Sequence, residues 1–231
     1  MMRRILLVTL ALATAVATAC SSEDSPAGGG GNLPDAAGLL KDAASSTAEI
    51  RSAHFTLAVN GEIPGLSVKK AEGDLTREGG PAGAAKGTVS MDLLGSLFEG
   101  EFVLVDDSLF VKGPTGGYQQ LPASMVRSLY DPAAILDPDK GIANVLSNVS
   151  DPRTDGTEDI DGVSTYRVVG RVTKDVVSSL VPGIDSDVDI TFWLRQDDGH
   201  QPVKASVKVP KGTVDVTLSD IDKQVEITAP Q

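Results

Sequence analysis

Val188-Asp-Ile-Thr-Phe-Trp-Leu-Arg195, Val203-Lys-Ala-Ser-Val-Lys-Val209 and Val214-Asp-Val-Thr-Leu218 decide the fold. In each, apolar and polar residues alternate, so Val188, Ile190, Phe192 and Leu194 share one face while Asp189, Thr191, Trp193 and Arg195 share the other. A period of two is the signature of an antiparallel strand with one dry face and one wet face. Turn residues separate the runs: Asp197-Asp198-Gly199 before the second and Pro210-Lys211-Gly212 before the third.

The same period appears upstream. Phe55, Leu57 and Val59 alternate with Thr56, Ala58 and Asn60, and Val89, Met91 and Leu93 alternate with Ser90 and Asp92. Phe98, Phe102 and Leu104 share a face opposite Glu99 and Glu101. Helical spacing is confined to a few places. Leu39, Leu40, Ala43, Ala44, Thr47 and Ile50 predict a helix over 35–51 with Asp35 as its cap. Shorter helical pieces are predicted at 131–136, 139–148 and 173–181. The fold class is therefore α+β: some ten antiparallel strands in one large sheet, whose dry face must be covered by one long helix and several short ones. Aromatic residues are only 4% of the chain, so Val, Leu, Ile and Ala must fill the space between the layers. Periodicity leaves two outcomes open there, a solid core or a core with a cavity.

The start of the chain has a different character. Arg3 and Arg4 precede an apolar stretch from Ile5 to Ala17 that is too short to span a bilayer permanently, the layout of a signal peptide. Ala17-Thr18-Ala19-Cys20 reads as a lipobox, although Leu rather than Ala is usual three places before the cysteine. Cys20 is the only cysteine, which excludes an intramolecular disulfide and makes it the expected lipid anchor. The expected organisation is a signal peptide over 1–19, a lipidated cysteine and Gly-rich tether over 20–33, and one domain over 34–231. A tether of that composition reaches roughly 20 Å as a flexible coil. The acyl chains would hold the protein to the outer face of the cytoplasmic membrane, in the cell envelope.

Charge and residue usage narrow the function. The formal net charge is −12, and removal of residues 1–19 would take two arginines and no acid. Nucleic acid binding, which needs clustered Lys and Arg, is not expected. Two histidines, His54 and His200, lie far apart in the sequence, no serine sits in a Gly-x-Ser-x-Gly elbow, and no phosphate loop occurs. The acidic pairs Asp106/Asp107, Asp159/Asp161 and Asp185/Asp187/Asp189 fall at turns and strand ends, where Asp is favoured locally. No catalytic residue, metal site or cofactor is predicted.

Three segments carry a likeness to known proteins. They are Ser52 to Leu66, containing Asn60-Gly-Glu-Ile-Pro-Gly-Leu66; Tyr130-Asp-Pro-Ala-Ala-Ile-Leu136 running on to Gly141-Ile-Ala-Asn-Val-Leu146; and Asp161-Gly-Val-Ser-Thr-Tyr-Arg-Val-Val-Gly-Arg171. With the lipobox and tether they resemble the mycobacterial LppX/LprA/LprF/LprG lipoprotein family, and within it the LprG branch. That resemblance implies a half-barrel, a curved sheet wrapped over helices with an apolar cavity between the layers. It further implies a carrier of triacylated glycolipids (phosphatidylinositol mannosides, lipomannan, lipoarabinomannan) and of triacylglycerols, working beside a major-facilitator efflux transporter. On the inward strand positions, the expected pocket residues are Phe55, Leu57, Val59, Val89, Met91, Leu93, Phe98, Phe102, Leu104, Ile190 and Phe192. The alternative is a structural lipoprotein with a solid domain that serves the transporter as a scaffold. A monomer is expected, because the wet strand faces are charged throughout.

Overall fold

The computed structural model describes residues 33–231 except 64, 80–82, 94, 125–131, 179 and 182–183; of Leu93 the backbone alone is described. Residues 1–32, with Cys20, the lipobox and most of the tether, lie outside the described residues, as does Asp131.

Eleven strands form one antiparallel sheet among the described residues: β1 (Ser52–Gly61), β2 (Val68–Thr76), β3 (Ala84–Leu93), β4 (Ser96–Val105), β5 (Ser108–Lys112), β6 (Gln119–Pro122), β7 (Ser150–Ile160), β8 (Val163–Val172), β9 (Val188–Arg195), β10 (Pro202–Val209) and β11 (Gly212–Ser219). Their spatial order is β6-β5-β4-β3-β2-β1-β11-β10-β9-β8-β7. The first six strands meander outward from the centre to one edge. The last five begin at the far edge and meander back, so β11 closes against β1.

This topology explains where the helices go. After β6 the chain must travel from one edge of the sheet to the other, roughly 50 Å at about 4.8 Å between neighbouring strands. The passage carries a 3₁₀ helix at Pro132–Leu136 and helix α2 (Ile142–Ser147), both with apolar side chains buried against the sheet. Helix α1 (Ala36–Ala48) precedes β1, and α3 (Lys174–Val177) lies in the long β8–β9 connection. Each helix falls within the predicted spans. α1 begins where the Asp35 carboxylate accepts from the Gly38 amide at 2.8 Å, and it buries Leu39, Leu40, Ala43, Ala44 and Thr47.

The inward side chains line up in rows across the strands. One row reads Val168, Phe192, Ala205, Val216, Leu57, Ala71, Val89. The next, nearer the β10–β11 turn, reads Ile190, Val207, Val214, Val59. Phe55, Leu57, Phe192, Leu194 and Val214 are almost wholly buried, and with the helices they form one continuous core. That core lies entirely within residues 33–231, which form one compact unit.

Both edges are blunted. β6 is four exposed residues ending in Pro122, and β7 carries two register shifts and alternating charge. At the first edge Tyr118 donates to the Glu101 carboxylate at 2.7 Å and Lys112 stands 3.1 Å from it. The tyrosine hydrogen bond, aided by the ammonium, holds the Glu101 carboxyl below the usual range. Its small contribution to this edge is therefore present at neutral pH and disappears as pH falls through the lowered value.

The outer face has a small apolar cluster of its own. The C-terminal segment leaves β11, accepts from the Ser52 hydroxyl at the Lys223 carbonyl, and accepts from the Lys86 ammonium at the Glu226 carbonyl. Ile227 then packs with Ala84, Val103 and Val105. Ile227→Ala is expected to lose about 2 kcal/mol in urea unfolding. A loss under about 0.5 kcal/mol, the range of neutral surface changes, would show that the strap contributes nothing.

Candidate functional site

The space between sheet and helices decides the site. A cavity of about 40 Å³ lies there, lined from the sheet by Leu57 (β1), Ile190 and Phe192 (β9), Ala205 and Val207 (β10), and Val214 and Val216 (β11). Ile135, Ile142, Val145, Val177, Leu180 and Val181 line it from the helical side. Each lining residue has a hydrocarbon side chain. The gap opens in the sheet row where Ala205 stands between Val216 and Phe192, a small residue flanked by larger ones.

A water molecule occupies about 30 Å³ in the liquid, and pockets for drug-sized ligands run to about 300–1,000 Å³. The seam is therefore packed, with one small void. Of the two outcomes the periodicity left open, it stands nearer the solid core. Wider depressions of about 480 and 470 Å³ lie elsewhere, but Lys41, Ser45 and Ser147 border one and Glu99, Glu101 and Lys112 the other. Neither shelters an apolar chain from water.

The two layers of the seam are held differently. The sheet is knit by backbone hydrogen bonds along every strand. The covering pieces are five, six and four residues long, and neither α2 nor α3 has a side-chain cap at its N-terminus. Apolar contact is non-directional, so such a cover can shift as a whole without breaking particular bonds. Chemically the seam offers hydrocarbon contact alone, with no polar side chain along its lining.

The expected pocket residues divide into groups. Leu57, Ile190 and Phe192 line the cavity. Phe55, Val59, Phe102 and Leu104 are buried in the same core without bordering it. Val89, Met91 and Phe98 are half-buried on the same sheet face, away from the void, and the Leu93 side chain falls outside the described set. The helical lining and the residues of β10 and β11 were not among the expected set. Their signal was present in the sequence, since Val203–Val209 and Val214–Leu218 alternate as clearly as β9, but periodicity does not say which strands sit under the helices.

Among the described residues the two histidines sit apart and form no competing site. The His54 imidazole lies 2.9 Å from Asp74 and 3.9 Å from Glu72 on the outer face. His200 sits in the β9–β10 turn, its Nδ1 2.9 Å from the Arg195 carbonyl oxygen. Among the described residues no group of three His, Cys, Asp or Glu side chains could hold a metal ion. No described helix is long and apolar enough to cross a membrane. On the outer face the Trp193 indole donates to Glu158 at 2.8 Å, with the Lys204 ammonium 5.0 Å from its ring centre.

Known proteins resemble the chain at three levels, family model, sequence and fold. The family model LppX_LprAFG lipoprotein matches residues 35–227. The lipoarabinomannan carrier protein LprG of Mycobacterium tuberculosis (strain H37Rv) is 37% identical over 233 residues, covering 99% of this chain and 95% of the relative. Its namesake in Mycolicibacterium smegmatis is 39% identical, covering 97% and 94%. The crystal structure of LprF from Mycobacterium bovis superposes with a TM-score of 0.77 at 27% identity, over 86% of this chain and 98% of that one. Mycobacterium tuberculosis LppX gives 0.65 at 24% identity, over 83% and 97%, a likeness of fold.

Proposed function

The chain belongs to the LppX_LprAFG lipoprotein family, and from that premise we propose that it carries lipid by taking acyl chains between its sheet and its helices. It is a carrier lipoprotein and not an enzyme. The observation that supports the mechanism is the seam itself, a cavity lined by thirteen residues without one polar side chain. Each methylene moved from water into such a lining contributes about 0.8 kcal/mol, so tails are gripped for length and not for identity. A polar headgroup stays in solvent, which suits a large sugar polymer.

The cargo is triacylated glycolipid (phosphatidylinositol mannosides, lipomannan and lipoarabinomannan) together with triacylglycerol. The relatives named as lipoarabinomannan carriers support this choice. The protein is held at the outer face of the cytoplasmic membrane by acyl chains on Cys20 and acts as a monomer beside a major-facilitator efflux transporter. With a void of about 40 Å³, loading requires the 3₁₀ helix, α2 and α3 to part from the sheet. The same tight seam favours a second reading, a solid scaffold lipoprotein that partners the transporter and carries nothing.

Organic extraction of residues 33–231, purified from a lipid-producing mycobacterial host and analysed by mass spectrometry, separates the two. The carrier reading expects a stoichiometric acylated lipid in the extract. Clean protein that also stays clean after incubation with glycolipid would favour the scaffold.

A further inference from the structure

Helix α2 stands between two spaces. On one side Ile142 and Val145 border the void of the seam. On the other Ala143, Leu146 and Ser147 border the depression of about 480 Å³ that α2 shares with α1. Neighbouring residues of a helix point to different sides, so Ile142 and Ala143, like Val145 and Leu146, divide between the two spaces. The α1 wall of the depression is low, because Ala37, Ala44, Ser45 and Ala48 make up most of it.

The two helices are attached differently. α1 is tied to the sheet at both of its ends. Ahead of its first turn the Thr154 hydroxyl of β7 donates to the Pro34 carbonyl at 2.7 Å. In its last turn the Ser46 hydroxyl donates to the Gly199 carbonyl of the β9–β10 turn, and the Arg77 guanidinium, just beyond β2, donates to the Ala48 carbonyl at 2.7 Å. α2, by contrast, reads Ile-Ala-Asn-Val-Leu-Ser and has no charged side chain. The Ser147 hydroxyl and the Asn148 amide at its end donate back to Ala143 and Asn144 of the same helix. Moving α1 would break hydrogen bonds to three parts of the sheet. Moving α2 slides one apolar surface over another, which breaks no directional contact.

We propose that α2 backs toward α1 as the seam widens, narrowing the depression between them, while α1 stays fixed to the sheet. A close-packed interior passes displacement on instead of absorbing it, and packed helices accommodate it by short slides. The depression is the room that receives the displaced helix, and the small side chains of its α1 wall keep that room open. The inference rests on the carrier reading for its trigger, the entering acyl chain, though not for the freedom of α2.

The test measures distances between nitroxide labels in residues 33–231, which contain no native cysteine. Asp42→Cys on α1 with Asn144→Cys on α2 reports the two helices, and neither position borders the void or the depression. Asp42→Cys with Thr217→Cys, on the wet face of β11, reports α1 against the sheet. Loading with a diacyl lipid from detergent micelles should shorten the first distance by about 2 Å and leave the second unchanged. Ala205→Leu, which pushes an isobutyl group into the void from the sheet, should shorten the first distance without any lipid. Ser45→Trp fills the depression from an exposed position; it should slow lipid uptake about tenfold with the melting temperature within about 2 °C of wild type. A first distance that lengthens or stays constant on loading, a second that changes, or wild-type uptake by Ser45→Trp would overturn the proposal. A wild type that takes no lipid from micelles would sink the carrier reading instead. Ala205→Leu then decides the movement of α2 alone, shortening sustaining it and constancy overturning it.

Discussion

Gly87→Val is expected to lose about 3 kcal/mol and to lower the melting temperature by about 10 °C. Gly87 on β3 faces Gly73 on β2, and the pair stands between Phe55 on β1 and Phe102 on β4 in one inward row. The strands approach so closely there that a Cβ on Gly87 would lie 2.0 Å from the Glu72 carbonyl oxygen and 2.8 Å from the Gly73 Cα. Both neighbours are backbone and cannot swing aside. Glycine inside a strand marks a close approach or a bend, and the flanking aromatics cover the bare backbone it leaves. Gly117→Ala supplies the control, since a Cβ at that position meets nothing within 4 Å. Differential scanning calorimetry that finds both variants within about 2 °C of wild type would show that the close approach is not needed by the sheet.

Val207 gives the second large effect, and it is functional. Its side chain is 7% exposed, lines the cavity, and lies between Ile190 and Val214 in the sheet row. Val207→Phe fills the void from the sheet side and stiffens the seam, so uptake of a fluorescent acyl lipid should fall about tenfold, a loss of about 1.4 kcal/mol in affinity. Val207→Ala enlarges the void and should cost about 1–2 kcal/mol of stability while leaving uptake at or above the wild-type level. The opposite signs matter. A residue that only supports the fold would reduce uptake in both variants in proportion to lost stability, and that outcome would remove the seam from the mechanism.

Much of the architecture was legible because burial on one face imposes a period of two. β1, β3, β4, β9, β10 and β11 stand where the alternation places them, and Asp35 caps α1 as its side chain requires. β7 left no such trace. As an edge strand it has little face to bury, and Ser150-Asp-Pro-Arg-Thr-Asp-Gly-Thr-Glu-Asp-Ile160 is polar on both sides. The site was only partly legible, for a related reason. Alternation identifies an inward face, but Phe55 and Leu57 are equally inward, and Leu57 alone of the two borders the void. What selects Leu57 is the order β1-β11-β10-β9 together with the reach of the Ile135, Ile142 and Val145 side chains into the same void, a long-range property. Val89, Met91 and Phe98 alternate as regularly and yet stay outside the lining.

The central claim is that acyl chains lie between the sheet and its helices. A photoreactive lipid with a diazirine midway along its acyl chain, loaded into residues 33–231 and irradiated, tests it most directly. Peptide mapping should place the label on β9–β11 and on the segments around Ile142 and Val177, with labelling diminished in Val207→Phe. Label confined to the outer face, around Trp193 or the depression beside Glu101 and Lys112, would contradict the account.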